Sequence, residues 1–129
     1  MPYVQIRLNA PQCVHHPRLA AQATRLMVEV MRKQRALTVV EIVTPTSLWS
    51  GGGQPVAGPL AQVDVKITAG TNSETDKARL LAEFHALLTQ ELGPLAAPAY
   101  VVIDEIPATD WGYDGLSQAS RLSRKSGGG

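Results

Sequence analysis

Pro2, directly after the initiator methionine, is the residue best suited to acid–base chemistry in this sequence. We expect Met1 to be removed, as is usual before proline, which would leave the secondary amine of Pro2 free. A free α-amine has a pKa near about 8, and apolar surroundings or a nearby cation lower it toward a neutral base at pH 7. Pro2 is therefore a candidate general base. Its position alone equally fits a proline that merely starts a strand.

The first ten residues would hold Pro2 at the mouth of a β-strand. Val4, Ile6 and Leu8 are apolar and alternate with polar residues. This alternation is typical of a half-buried strand. A strand that starts this early pins the beginning of the chain into a sheet, whereas most chain ends fray.

The rest of the first unit, residues 2–53, follows a β-α-β pattern. Apolar residues at helical spacing predict a helix from Pro17 to near Ala36, and the missing N–H of a proline costs nothing at a helix start. The β-branched segment over 38–44 predicts a second strand. Residues 54–59 read as a linker.

The second unit, residues 61–115, repeats that pattern. It starts with an alternating strand over 61–68 and continues with a helix that is opened by Ser73 and stopped by Gly93. Asp76, three residues after Ser73, makes a capping box plausible. The segment over 99–106 is the fourth strand. The sequence therefore predicts two tandem β-α-β units.

The predicted fold is mixed α/β (α+β), with one four-stranded sheet and two helices on one face. Right-handed crossovers make the strands of each unit parallel to one another. We expect a single domain over residues 1–120 and a flexible tail over residues 116–129. The open face of the sheet suits a wet channel or a partner subunit, because it carries Gln5, Arg7, Asp64 and Lys66.

Composition limits the function classes. Of the 129 residues, 44% are hydrophobic and the formal net charge is +1, so charge gives no case for nucleic acid or membrane binding. The lone Cys13 excludes an internal disulfide framework and fits a reducing compartment. No targeting pattern or long apolar run is evident, so we expect a cytoplasmic protein. The pair His15-His16 lacks a third metal ligand.

The N-terminal Pro2, the tandem repeat and the turn Asp110-Trp111-Gly112 together resemble the tautomerase superfamily. The similarity is to its two-unit members, typified by macrophage migration inhibitory factor, and includes the segment Asn9-Ala10-Pro11. The resemblance implies a tautomerase-like fold and an isomerase that needs neither cofactor nor metal. It further implies keto–enol proton transfer on a small α-keto acid and a homotrimer with pockets between subunits.

The resemblance also implies roles for four residues. Pro2 would be the general base, and Lys33 would bind the substrate carboxylate or keep Pro2 deprotonated. Tyr100 would donate a hydrogen bond to the developing oxyanion and reach the Pro2 of a neighbouring subunit. Trp111 would exclude water and stack on the substrate. Each has a plainer interpretation: Lys33 as a solvated helix end, Tyr100 as a strand aromatic, and Trp111 as packing.

Departures from the family pattern keep two alternatives open. Thr68 and Thr71 stand where several relatives have substrate-binding arginines, and the water-activating acid of the dehalogenases is replaced near Tyr113. One alternative is a Pro2-dependent dehalogenase, hydratase or decarboxylase of small unsaturated or oxo acids, which these departures weaken. The other is a catalytically inactive binding protein of the same fold, which retention of Met1 would favour.

Overall fold

The computed structural model describes residues 2–9, 14–45 and 47–127. Four parts of the sequence on which expectations rest lie outside these residues: Met1, the Ala10-Pro11 segment, Cys13 and the last residues of the tail.

Eight strands and three α-helices follow one another in the described part of the chain. The strands are β1 Tyr3–Asn9, β2 Val39–Val43, β3 Trp49–Ser50, β4 Gln54–Pro55, β5 Leu60–Thr68, β6 Val101–Ile106, β7 Gly112–Tyr113 and β8 Leu116–Ser117. The helices are α1 His16–Glu29, α2 Glu74–Leu92 and α3 Gln118–Gly127, with a 3-10 turn at Arg35–Leu37.

The central sheet has four strands in the order β2-β1-β5-β6. Strands β1 and β2 are parallel, as are β5 and β6, which confirms the crossovers predicted for both units. The two units meet through β1 and β5, which run antiparallel with Tyr3 opposite Lys66 and Arg7 opposite Gln62. The predicted fold class is confirmed.

One face of the sheet forms the core. The alternating apolar residues of β1 and β5 are buried against α1 and α2, whose apolar stripes face the same side. The fully buried side chains include Ile6, Leu19, Met27, Ile67 and Phe84. Among the described residues, no helix combines the length and apolarity needed to span a membrane.

Side-chain caps start both long helices. The Nδ1 atom of His15 accepts a hydrogen bond of 3.0 Å from the Arg18 amide, so His15 caps α1, which starts at His16 with Pro17 in its first turn. At α2 the Ser73 hydroxyl accepts from the Asp76 amide at 3.1 Å, and the Asp76 carboxylate accepts from the Ser73 amide at 3.2 Å. This reciprocal pair confirms the predicted capping box.

Helix α1 is shorter than predicted. We expected it to reach Ala36, but it ends at Glu29. Arg32 adopts a left-handed backbone with φ of 57°, and the Lys33 amide donates to the Met27 carbonyl at 3.0 Å. A backbone bond between residues six apart, across a residue with a left-handed conformation, is a common way for a helix to end. The prediction was wrong because no glycine marks this end.

The predicted linker contains part of a hairpin. Strand β4, at its start, pairs antiparallel with β3. Gly51, Gly52 and Gly53 form the turn with positive φ angles, which glycine adopts without steric cost.

The predicted flexible tail also takes a different form. Residues 116–127 form β8 and α3. Two backbone bonds hold this segment to the preceding turn: the Gln118 amide donates to Trp111 at 2.9 Å, and the Ala119 amide donates to Ala108 at 2.8 Å. Three polar residues of α3, Gln118, Ser120 and Arg121, are partly buried.

Candidate active site

Pro2 lies directly before β1, at one end of the central sheet. It is buried, and its carbonyl oxygen accepts a bond of 3.5 Å from the Val39 amide. Because β1 lies between β2 and β5, the backbone of Pro2 is held among neighbouring strands. The position predicted for Pro2 is therefore a fixed, enclosed one.

A cavity of about 550 Å³ opens at Pro2. Most of its surface is apolar. Its lining comes from β1, the 3-10 turn, the start of β2, β5 and the β7–β8 hairpin, and comprises Pro2, Tyr3, Ala36, Leu37, Val39, Lys66, Trp111, Gly112, Tyr113 and Asp114. Cavities of this size with few polar groups are typical small-molecule sites.

Trp111 forms a wall of this cavity, where the sequence predicted an aromatic. It is half-buried, and its indole Nε1–H donates to the Thr68 hydroxyl at 3.1 Å. Thr68 itself is buried at the end of β5. The bond fixes the plane of the indole ring against the sheet.

The β7–β8 hairpin keeps its tight path through two residue choices. A Cβ on Gly112 would overlap the carbonyl oxygen of Leu116, so glycine is required there. Asp114 and Gly115 form the turn, with φ of 51° and 82°. An Asp-Gly pair suits this type of hairpin turn.

Lys33 does not line the cavity but is linked to its wall. The Lys33 Nζ donates to the Thr71 hydroxyl at 2.8 Å, and that hydroxyl donates to the Thr68 carbonyl at 2.6 Å. Thr68 in turn accepts from Trp111. Burial lowers the pKa of Lys33 below its ordinary value, and the neighbouring Arg32 charge lowers it further, while Asp76 opposes the shift. Thr71 and Thr68 thus join Lys33 to Trp111.

Tyr100 lies at the other end of the sheet. Its backbone bonds to β5 beside Gln62, which pairs with Arg7 on β1, five residues from Pro2. That separation is about 17 Å along the strand. The Tyr100 side chain is 69% exposed and does not line the cavity. Within one chain the structure does not bring Tyr100 to Pro2.

Two charged residues of the cavity were not predicted as site residues. The Lys66 ammonium pairs with the Asp104 carboxylate at 3.0 Å. Asp114 is exposed at the hairpin turn. Lys66 was assigned only to the open sheet face, and its place in the cavity follows from the antiparallel register of β1 and β5. Asp114 directly follows Tyr113, near which we expected the water-activating acid of the dehalogenases to be replaced.

No group of three or more His, Cys, Asp or Glu residues is placed to hold a metal ion in the part of the chain that the structure describes. His15 instead serves as a helix cap.

The second half of the sequence carries a family signature. Residues 62–121 match the family model for tautomerase enzymes. The chain has the tautomerase fold. The match spans most of β5, α2, β6 and the hairpin with Trp111, so it includes half of the residues that line the cavity but not Pro2. None of the curated proteins matches this sequence.

Solved structures match nearly the whole chain. The macrophage migration inhibitory factor-like protein from Entamoeba histolytica is 24% identical, covers 90% of this chain and 97% of its own, and has a TM-score of 0.73. The fused 4-OT protein Q0, solved as a symmetric trimer, is 22% identical over 93% and 97%, with a TM-score of 0.75. The predicted resemblance to the tautomerase superfamily is confirmed.

A third neighbour represents another branch of that fold. The protein N1, a member of the cis-3-chloroacrylic acid dehalogenase family, is 15% identical, covers 89% of this chain and 82% of its own, and has a TM-score of 0.75.

Proposed function

We propose that this chain is a cofactor-independent tautomerase that moves a proton between the enol and keto forms of a small α-keto acid, with Pro2 as general base. The observation that supports this most is the burial of Pro2 in a largely apolar cavity walled by Trp111. Once Met1 is removed, the free nitrogen of Pro2 is a basic group inside this cavity, at the start of β1.

The cavity suits a neutral amine. Ala36, Leu37 and Val39 surround Pro2 with apolar surface. Burial in such surroundings lowers the pKa of a free proline amine below its ordinary value of about 8, because the charged form loses its hydration. The nitrogen would then accept a proton from one substrate atom and return it to another, which is the 1,3-shift of a tautomerase.

The other predicted residues take supporting roles in this proposal. Trp111 excludes water and stacks on the unsaturated part of the substrate. Lys33 acts through Thr71 and Thr68, holding the wall in place, and its charge lies behind the cavity. Tyr100 can take part in a site only at the Pro2 of a neighbouring subunit, because the Pro2 of its own chain lies at the opposite end of the sheet.

We therefore also propose a homotrimer with sites between subunits. The support is the open sheet face, which leaves Val39, Tyr100 and Val102 exposed, together with the symmetric trimer of the fused 4-OT relative. Mixing two inactive variants tests it. Pro2→Ala and Tyr100→Phe chains that are unfolded and refolded together should regain activity, because a site between them combines an intact Pro2 with an intact Tyr100. No recovery would place Tyr100 outside the site.

One observation favours a second candidate function, a dehalogenase or hydratase. The Asp114 carboxylate lines the cavity at Pro2 and could activate water. Release of chloride from 3-chloroacrylate, lost in Asp114→Asn, would support it. The cytoplasm stays our proposed location, on the grounds of the lone cysteine.

The test of the main proposal is the rate of enol-to-keto conversion of phenylenolpyruvate by the purified protein and by Pro2→Ala. We expect kcat/KM to fall by about 100-fold or more in the variant, the usual contribution of a positioned general base. Arg79→Gln, a charge change on the exposed surface of α2 away from both the cavity and the open sheet face, is the matched control. Background rates in the unaltered protein would instead favour the inactive binding protein.

A further inference from the structure

A second cavity, of about 330 Å³, adjoins the cavity at Pro2. The two cavities share Leu37 and Tyr113. We propose that the second cavity is an anion subsite, in which Arg121 and Gln118 of α3 bind a carboxylate of the substrate that is remote from the reacting enol. This inference rests on the proposed function, because the same substrate must reach Pro2.

Within the part of the chain that the structure describes, no carboxylate neutralises the charge of Arg121. Six ion pairs join the described residues, and Arg121 is in none of them. Its guanidinium lies 3.7 Å from the centroid of the Tyr113 ring and donates from Nη2 to the Tyr113 carbonyl at 2.8 Å. A partly buried cation without a counter-ion is a natural place for an anion.

One donor of that guanidinium is unused. The Nε atom of Arg121 is buried and has no hydrogen-bond partner. Buried donors are nearly always paired in folded proteins, so a lone one calls for a missing acceptor. Since Arg121 lines the second cavity, an acceptor held there would complete its bonding.

Gln118 offers a second polar group in the same cavity. Its Oε1 atom is also buried without a partner. The amide oxygen and nitrogen can exchange places by a flip of the side chain, which would present two N–H donors to the cavity. With the Nε–H of Arg121, the cavity then provides several donors and one positive charge, which match a carboxylate.

The position of Tyr113 sets the length of the substrate. Its side chain lies between the guanidinium and the cavity at Pro2, so the two ends of the ligand are separated by about one aromatic ring. A keto acid with a second carboxylate at that distance fits both cavities. Arg121 would thus supply a positive charge for a substrate carboxylate, which the neutral side chains of Thr68 and Thr71 cannot supply.

Calorimetric titration with two saturated acids tests the subsite, because neither acid can tautomerise. The probes are 3-phenylpropionate and 3-(4-carboxyphenyl)propionate. We expect the unaltered protein to bind the dianion about tenfold more tightly, as charge-assisted bonds allow. Arg121→Gln should lose this preference and keep its affinity for the monoanion within about twofold. Arg79→Gln, which removes the same charge from the exposed surface of α2, should keep the preference.

Gln118→Glu is the second variant, and it decides the matter if Arg121→Gln does not fold. It places an internal carboxylate beside the guanidinium and should abolish the preference for the dianion. Equal affinities in the unaltered protein, or a preference that survives in the Arg121 and Gln118 variants, would overturn the subsite. A protein that prefers the dianion but does not convert phenylenolpyruvate would overturn the proposed function and leave the subsite in place.

Discussion

Each β-α-β unit ends in a short hairpin that carries a tryptophan, yet the two hairpins serve different ends. In the first unit Trp49 is 62% exposed, and its Nε1–H donates to the Ser47 hydroxyl, two residues away, at 3.1 Å. In the second unit Trp111 is half-buried, donates a hydrogen bond to Thr68 at the end of β5, and lines the cavity at Pro2. Repetition of the fold has therefore not repeated the site.

The starts of the two units differ in the same way. Ala61 takes the place in the second unit that Pro2 takes in the first, but its nitrogen is a peptide amide within the chain. A helix, α3, directly follows the second hairpin, whereas the first is followed by strand β5. The first unit thus supplies Pro2 and one part of the cavity wall, and the second unit supplies Lys66, Trp111 and the rest of the wall, so neither makes the site alone.

The largest effect should come from the core that the two units share. Leu19 in α1 and Phe84 in α2 are both fully buried in it. Leu19→Ala and Phe84→Ala should each lower the free energy of unfolding by about 3 kcal/mol or more, because each leaves a cavity. Denaturant unfolding of both variants should show a single transition. Two separate transitions would mean that the units fold independently, contrary to a common core.

The tryptophans offer a direct contrast. Trp111→Ala should lower kcat/KM for phenylenolpyruvate by about tenfold or more, since it opens the cavity to water and removes about 2 kcal/mol of binding contacts. It should also lower the melting temperature. Trp49→Ala should change either quantity little, because exposed side chains contribute within about 0.5 kcal/mol. Equal losses in the two variants would remove the distinction between the hairpins.

The link between Lys33 and Trp111 should have a moderate effect. Thr71→Val removes the hydroxyl that joins Lys33 to Thr68. We expect a loss of about 1 kcal/mol in stability and a severalfold rise in KM, because the wall is held less firmly. Ser47→Ala, which removes the partner of Trp49, is the matched change in the first unit. It should leave KM unchanged, and a rise there would contradict the account.

The smallest effect concerns Asp76 at the start of α2, since α1 has no acidic residue in its first turn. The Arg32 guanidinium, the Asn72 amide and the Ser73 amide hold the pKa of Asp76 well below its usual range. A depressed carboxylate pKa stabilises the fold above the unfolded value of about 4, and that contribution is lost as pH falls below it. Asp76→Asn should therefore lower the melting temperature at pH 7 and have less effect at pH 3.

Strand patterns predicted most of the fold. The period of two in β1 and β5 gave their buried faces, and Ser73 with Asp76 gave the start of α2. These features depend on neighbouring residues alone. The end of α1 did not follow from such a pattern, because Arg32 takes a left-handed backbone that arginine seldom adopts.

The site was less predictable than the fold. Pro2 was a candidate from its place at the start of the first strand and Trp111 from the family resemblance, and the structure places both at one cavity. Lys66 and Asp114 were missed, because one depends on the register between two distant strands and the other on a hairpin turn. Arg121 fell in the segment that its polar composition assigned to a flexible tail. Its contact with Tyr113, on the preceding hairpin, depends on the folded structure and not on that composition.

The most direct test of the account compares two proteins with the same proline ring. One has Met1 removed and a free Pro2 amine, and the other has a lysine inserted before Pro2, so that Met1 stays and the Pro2 nitrogen is an amide. Mass spectrometry verifies both N-termini, and kcat/KM for phenylenolpyruvate is measured for each. We expect activity in the first and the background rate in the second. Equal rates in the two proteins would contradict Pro2 as the base.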